Sequence, residues 1–74
     1  MTKLPRGLSS RKVINVLKKA GFYIRRQRGS HVIMRRDKPF AQVVVSVHKV
    51  VDTGTLDKII EGAGLTIEEF IDLV

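Results

Sequence analysis

The chain has no cysteine and no tryptophan among its 74 residues. Without cysteine, neither a disulfide framework nor a thiolate metal site can be built. Aromatic residues are few, one Tyr and three Phe, so the sequence shows no base-reading pocket of stacked rings. No apolar run approaches the roughly 20 residues that span a bilayer. The start lacks the charged-then-apolar pattern of a signal peptide, and the cytoplasm is the expected compartment. A chain of this length buries only about 60% of the surface its unfolded form exposes. Residues 1–74 are therefore expected to form one small domain without a large enclosed substrate cavity.

Acids are missing from one half. Residues 1–40 hold 12 Lys/Arg and a single acid, Asp37, whereas residues 41–74 hold Lys49 and Lys58 against six acids. The formal total is +7, but the chain is a basic half joined to an acidic one. A one-sided cationic surface suits a polyanion, because each neutralised phosphate releases condensed counterions. Solubility alone would be served as well by mixed charge.

What is present is patterned. In "SSRKVINVLKKAG" the residues Val13, Val16, Leu17 and Ala20 repeat at helical spacing. Ser9 or Ser10 can cap the start, Lys18 and Lys19 suit the last turn, and Gly21 suits the exit. Three strands follow. "FYIRRQR" alternates Phe22 and Ile24 against Tyr23, Arg25 and Gln27. "HVIMRR" turns Val32 and Met34 inward and His31, Ile33 and Arg35 outward. "AQVVVSVH" turns Val43, Val45 and Val47 inward and Gln42, Val44, Ser46 and His48 outward. Gly29 can supply a positive φ for the first hairpin, and "DKPF" makes the second turn. A four-residue loop there pairs Arg36 with Ala41 and hence His31 with Ser46, placing His48 one diagonal step away on the same face. After the loop "VDTG", a short helix in "TLDKIIEGAG" uses Leu56, Ile59, Ile60 and Ala63. "TIEEFIDLV" opens with a capping box, Thr66 and Glu69, and carries Ile67, Phe70, Ile71 and Val74 as its stripe. The expected fold is α+β, in the order α-β-β-β-α. Its three-stranded antiparallel sheet has helices on one face, because the strands have one apolar side to cover.

The available chemistry is narrow. Two-metal phosphodiester cleavage needs clustered carboxylates, and the basic sheet has only Asp37. Zinc needs three or four ligands, and His31 and His48 are two. No glycine-rich phosphate loop opens a helix, and no nucleophile elbow is present. What remains is metal-free acid/base work by a histidine, with arginines to hold a phosphate. RNA supplies its own nucleophile, the 2′-OH, so RNA suits such a site better than DNA does. Plainer readings stand beside this one. His31 can be a turn histidine and His48 a surface residue at a strand end. Ser30 can serve only its turn, and Tyr23 can stack on a base or pad the sheet. Arg25, Arg26, Arg28, Arg35 and Arg36 on paired strands would repel one another without an anion, which favours an RNA-binding surface.

"LSSRKVINVLKKAGFYIRRQRGSHVIMRR", then a valine-rich strand ending in "VSVH", then "GTLDKIIEGAGLTIEEFIDLV", resembles the HicA toxins of bacterial and archaeal toxin–antitoxin pairs. The resemblance covers about Leu4 to Val74. It implies a fold like a double-stranded-RNA-binding domain and endoribonucleolytic cleavage of mRNA, and no cofactor is expected. It implies that His31 of the Gly29-Ser30-His31 motif is catalytic, and it aligns His48 with the family's strand-end histidine as a candidate second acid/base. The chain departs from the family at Ser46, where relatives usually carry proline. The implied partner is a HicB-type antitoxin that covers the active face. A non-catalytic RNA-binding module on the same fold is the alternative. A DNA-binding adaptor fits less well, since no helix pair carries a basic second helix.

Overall fold

Ser9 opens the first helix, its Oγ accepting from the Lys12 amide at 3.1 Å, so that α1 runs Ser10–Lys19. A computed structural model describes residues 4–74 of the chain. The other elements are β1 (Tyr23–Arg28), β2 (His31–Asp37), β3 (Phe40–Ser46), α2 (Thr53–Gly62) and α3 (Ile67–Leu73). The sheet is antiparallel in the order β1-β2-β3, and the α-β-β-β-α order expected from the alternation holds, with its final helical part divided in two.

One face of the sheet is covered. Val32, Met34, Val43 and Val45 are buried there beneath Val13, Val16 and Leu17 of α1, Leu56, Ile59 and Ile60 of α2, and Phe70 of α3. Burial on this face and exposure on the other is what a period-two pattern dictates once a sheet has helices on one side. The second half of β1 contributes nothing to this core, since all six residues of that strand are exposed.

Both longer helices end alike. At the exit of α1, the amides of Gly21 and Phe22 donate back to the carbonyls of Lys18 and Leu17 at 3.1 and 2.9 Å. At the exit of α2, those of Gly64 and Leu65 donate to Glu61 and Ile60 at 3.0 and 3.2 Å. This is the Schellman arrangement, which requires a positive φ after the cap; Gly21 and Gly64 supply it at +95° and +72°. The third helix carries its capping box as expected, with Thr66 and Glu69 exchanging side-chain to backbone bonds at 2.9 and 3.1 Å. Its inward stripe is narrower than expected. Phe70 is buried, Ile67 and Ile71 are half-buried, Val74 is exposed, and Leu73 packs against the core in its place. The second helix begins at Thr53, earlier than the expected loop "VDTG" allows, because Asp52 is its N-cap.

Two expectations for the strands need correction. Between Ile24 and Arg26 the β1–β2 register shifts by a bulge. One extra residue reverses the facing of all that follow. Tyr23 still sits outward opposite Arg35, but Arg26 and Arg28 now face outward opposite Ile33 and His31. Gln27, opposite buried Val32, turns to the helix side, and Arg25 has no partner in the ladder. The second correction concerns β3, which ends at Ser46, two residues before His48.

Candidate active site

The outward face is built row by row from the register. Two residues, Gly29 and Ser30, close the β1–β2 hairpin, and Gly29 takes φ +56°. A Cβ at Gly29 would meet no atom within 4 Å, so glycine is there for its backbone alone. This tight turn sets Arg28 directly opposite His31. On the other side His31 pairs with Ser46, as the loop count required. The Val47 amide donates to the Ser30 carbonyl at 2.7 Å, just outside that pair. His31 and Ser46 therefore form a non-hydrogen-bonded pair, the kind whose side chains approach most closely, with Cα atoms about 4.5 Å apart. The first row of the face is Arg28, His31 and Ser46.

The second row is Arg26, Ile33 and Val44, with Val44 half exposed. The third is Tyr23, Arg35 and Gln42, and beyond it Asp37 faces Phe40. This far end is tied together. The Tyr23 hydroxyl donates to the Asp37 carboxylate at 3.1 and 3.2 Å. Arg35 Nε donates to Gln42 Oε1 at 3.0 Å, and its guanidinium lies 5.4 Å from the centre of the Phe40 ring. At the His31 end, by contrast, no described residue accepts from the guanidinium of Arg25, Arg26 or Arg28. Their donors are open to an anion.

Arg36 does not join them. It pairs with inward-facing Ala41 and turns to the helix side. Its Nη1 donates to the Ala20 carbonyl at 3.4 Å, Nη2 to the Ala63 carbonyl at 3.1 Å and Nε to the Pro39 carbonyl at 3.0 Å. Its guanidinium also lies 4.8 Å from the centre of the Phe22 ring. Ala20 and Ala63 are the C-caps of α1 and α2. One cation thus closes two helix ends, where orphan carbonyls and the helix dipoles both favour positive charge. The expectation that Arg36 belongs to an RNA surface is replaced by this inward role.

His48 also lies apart from the ladder. Ser10, 3% exposed, accepts from the His48 amide and donates to the His48 carbonyl, both at 3.0 Å. This fixes the backbone after β3 to the start of α1. His48 borders a cavity of about 140 Å³ between the end of β3 and α2, together with Ser46, Val50, Val51, Asp52, Thr55 and Ile59. Asp52 there is held below the ordinary carboxylate range, chiefly because it accepts from the Thr55 amide and then from the Thr55 hydroxyl; the Gly54 amide and His48 add smaller effects against slight desolvation. Among the described residues, no three His, Cys, Asp or Glu side chains gather as a metal site.

The model of the family described as "HicA toxin of bacterial toxin-antitoxin" matches residues 10–65, from the start of α1 through the residue after the α2 exit. The chain belongs to the HicA toxin family. It is accordingly the toxin component of a toxin–antitoxin system, and an antitoxin is the partner this membership implies. No curated protein matches this HicA chain. The matched segment contains the Gly29-Ser30-His31 hairpin, all of β2 and β3, and His48. The helix α3 lies beyond it. No helix among the described residues is long and apolar enough to cross a membrane.

The alternation puts Ser46 on the outward face without marking it as part of a site. The signal was available, since the same count that paired Arg36 with Ala41 put Ser46 beside His31. Phe40, expected in the turn "DKPF", is the first residue of β3 and the platform for Arg35.

Proposed function

We propose that this HicA toxin is an endoribonuclease that cleaves mRNA without a metal ion, with His31 as its acid/base. The observation that carries this reading is the first row of the open face. An exposed histidine stands between an unpartnered arginine, Arg28, and a hydroxyl, Ser46, on a surface whose other free charges are cationic. Arg26, Arg28 and Arg35 hold the RNA backbone, with Arg26 taking the place that the alternation alone assigns to Arg25. Tyr23, beside Arg35, lies along the same face. Gly29 and Ser30 set the position of His31 by forming its turn.

In the reaction, the 2′ oxygen attacks the adjacent phosphorus and the bond from phosphorus to the 5′ oxygen breaks. His31 handles one proton of the two, as base toward the 2′-OH or as acid toward the leaving oxygen; solvent handles the other. Arginine donors stabilise the charge that builds on the phosphorane oxygens. The products are a 2′,3′-cyclic phosphate and a 5′-OH. His48, in the neighbouring cavity, is not required for this step. A HicB-type antitoxin that covers the open face would exclude RNA.

The test is wild type against His31→Ala on a labelled single-stranded RNA in EDTA, with the ends mapped. Loss of one acid/base group should lower turnover by about 10²–10⁴-fold while RNA binding persists. Equal RNA binding with no cleavage by wild type would make the protein a non-catalytic RNA-binding module. Dependence of cleavage on added metal would refute the acid/base mechanism.

A further inference from the structure

The open face ends at the β1 edge, but cationic surface continues past it. Behind the first row lies a groove of about 340 Å³ between α1 and the sheet. Its sheet wall holds the chain neighbour of each residue in that row: Gln27 beside Arg28, Val32 beside His31 and Val47 beside Ser46. The groove is therefore the reverse side of the His31 row. We propose that it is a second RNA site, which takes nucleotides flanking the cleaved one where the strand rounds the β1 edge. The inference rests on the ribonuclease reading and extends its substrate contact to a second surface.

Charge is the first argument. The helix α1 holds four Lys/Arg and no acid. Lys19 is used within the fold, its Nζ donating to the Leu73 carbonyl at 3.1 Å. Arg11 and Lys18 line the groove instead; both are exposed, and no described residue accepts from either. Seven residues apart, they stand about 10 Å from each other along the helix, so positive charge is spread along that wall. Arg11 also sits in the first turn, where the helix dipole disfavours a cation; a bound phosphate offsets that cost. Among the described residues, no acid lines the groove. The cavity beside His48, by contrast, contains Asp52.

The interior suits a base. Val32 is buried there, while Ile24 and Val47 are 43% and 48% exposed and give a flat ring an apolar bed. Every base has such a face, so this contact does not depend on sequence. Asn15 from the helix and Gln27 from the strand add two side-chain amides. Gln27 Nε2 donates to the Gly29 carbonyl at 3.2 Å, which leaves Oε1 as an open acceptor. Amides both donate and accept, so the site takes single-stranded RNA without choosing among the four bases. The crossing is marked as well. Ile24 lines the groove, Arg26 faces outward, and the bulged Arg25 lies between them on the edge strand. This continuity with the open face favours RNA over an acidic protein segment as the occupant.

The experiment uses the full chain carrying His31→Ala, which keeps the RNA intact. Binding of a tetranucleotide and of a single strand of about 12 nucleotides, a length one small fold covers, is measured against salt. The longer RNA should show the steeper log–log slope and should move the amides of Asn15, Lys18 and Val47. Arg11→Gln with Lys18→Gln should take about 1.4 off that slope, at ~0.7 per phosphate contact, and weaken binding about tenfold. Lys12→Gln with Lys58→Gln removes the same charge away from the groove and should do neither. Equal slopes for the two double variants, or groove amides that stay still, would overturn the second site even if wild type cleaves RNA. Intact RNA binding with lost affinity for the antitoxin would assign the groove to the protein partner and also overturn it. Groove-dependent binding of the longer RNA, with no cleavage by wild type, would uphold the site and overturn the ribonuclease reading instead.

Discussion

Replacing Arg36 with methionine separates two roles that its sequence position conflates. The substitution keeps a long apolar stem against Phe22 and removes every donor. Three bonds to carbonyls at 3.0, 3.1 and 3.4 Å are lost, along with the ring contact at 4.8 Å. A bond from a charged donor is worth ~1.5–3 kcal/mol when desolvated, but Arg36 is only half-buried and its longest bond is poor. Taking about 1 kcal/mol for each of the two better bonds, and ~0.5–1 for the ring, gives roughly 2–4 kcal/mol once the weak bond is included. The helix-end attraction of ~0.3–1 kcal/mol per terminus is the same interaction seen differently and is not added again. At ~0.05–0.15 kcal/mol per residue, the whole domain is stable by about 4–11 kcal/mol. The variant should therefore lose a large part of its stability, and its melting temperature should fall by on the order of 10–25 °C. Urea unfolding followed by circular dichroism measures this directly. RNA affinity, measured well below the new melting point, should match wild type. An unchanged unfolding midpoint, or a selective loss of RNA affinity, would refute the inward role.

The hairpin makes its own prediction. At φ +56°, Gly29→Ala should cost about 1 kcal/mol in urea unfolding, and Gly29→Asn less, because asparagine tolerates the left-handed region better; equal cost for both would contradict the turn assignment. RNA affinity should fall as salt rises, with a log–log slope near −2 if Arg26, Arg28 and Arg35 each neutralise one phosphate of a single strand, at about −0.7 per contact. Arg28→Ala should reduce that slope by about 0.7, and an unchanged slope would remove Arg28 from the interface. Asp52 supplies a pH test. Its carboxyl titrates lower when folded than when unfolded, so its contribution is fully present above the unfolded value of about 4 and disappears as pH falls through the folded one. Urea midpoints measured from pH 6 down to pH 3 should therefore fall more steeply for wild type than for Asp52→Asn; parallel curves would contradict the cap.

The architecture was legible because its signals are local and redundant. Alternation in "HVIMRR" and "AQVVVSVH" decides which face is buried, and the short loop between them decides that His31 meets Ser46. The Thr66–Glu69 box and Gly21 and Gly64 mark helix ends by chemistry that needs no tertiary context. The bulge at Arg25 was not legible. In "IRRQR" every residue after Ile24 is polar, so parity leaves no trace of an inserted position. Asp52 had a readable signal, a cap residue three positions before Thr55, obscured by the turn-like "DTG". Arg36 shares its parity with Val32 and Met34, yet charge in a run of arginines outweighed position. The departure of His48 from the strand is different in kind. It depends on Ser10, 38 residues earlier in the chain, and no local pattern encodes such a contact.

The bulge has a consequence beyond the facing of side chains. The strand β1 is an outer strand of the sheet and is exposed along its whole length, the situation in which a second chain can add itself by backbone pairing. The local kink and three arginines in four residues oppose such pairing, since stacked copies would bring like charges together. On the proposed reading, the side chains that hold RNA also oppose pairing of this edge with a second copy. Removing the arginines with apolar, strand-favouring residues would disarm the surface and expose a sticky edge at once, so loss of activity in those variants would be accompanied by aggregation. Substitution by glutamine or serine disarms the surface without inviting self-association.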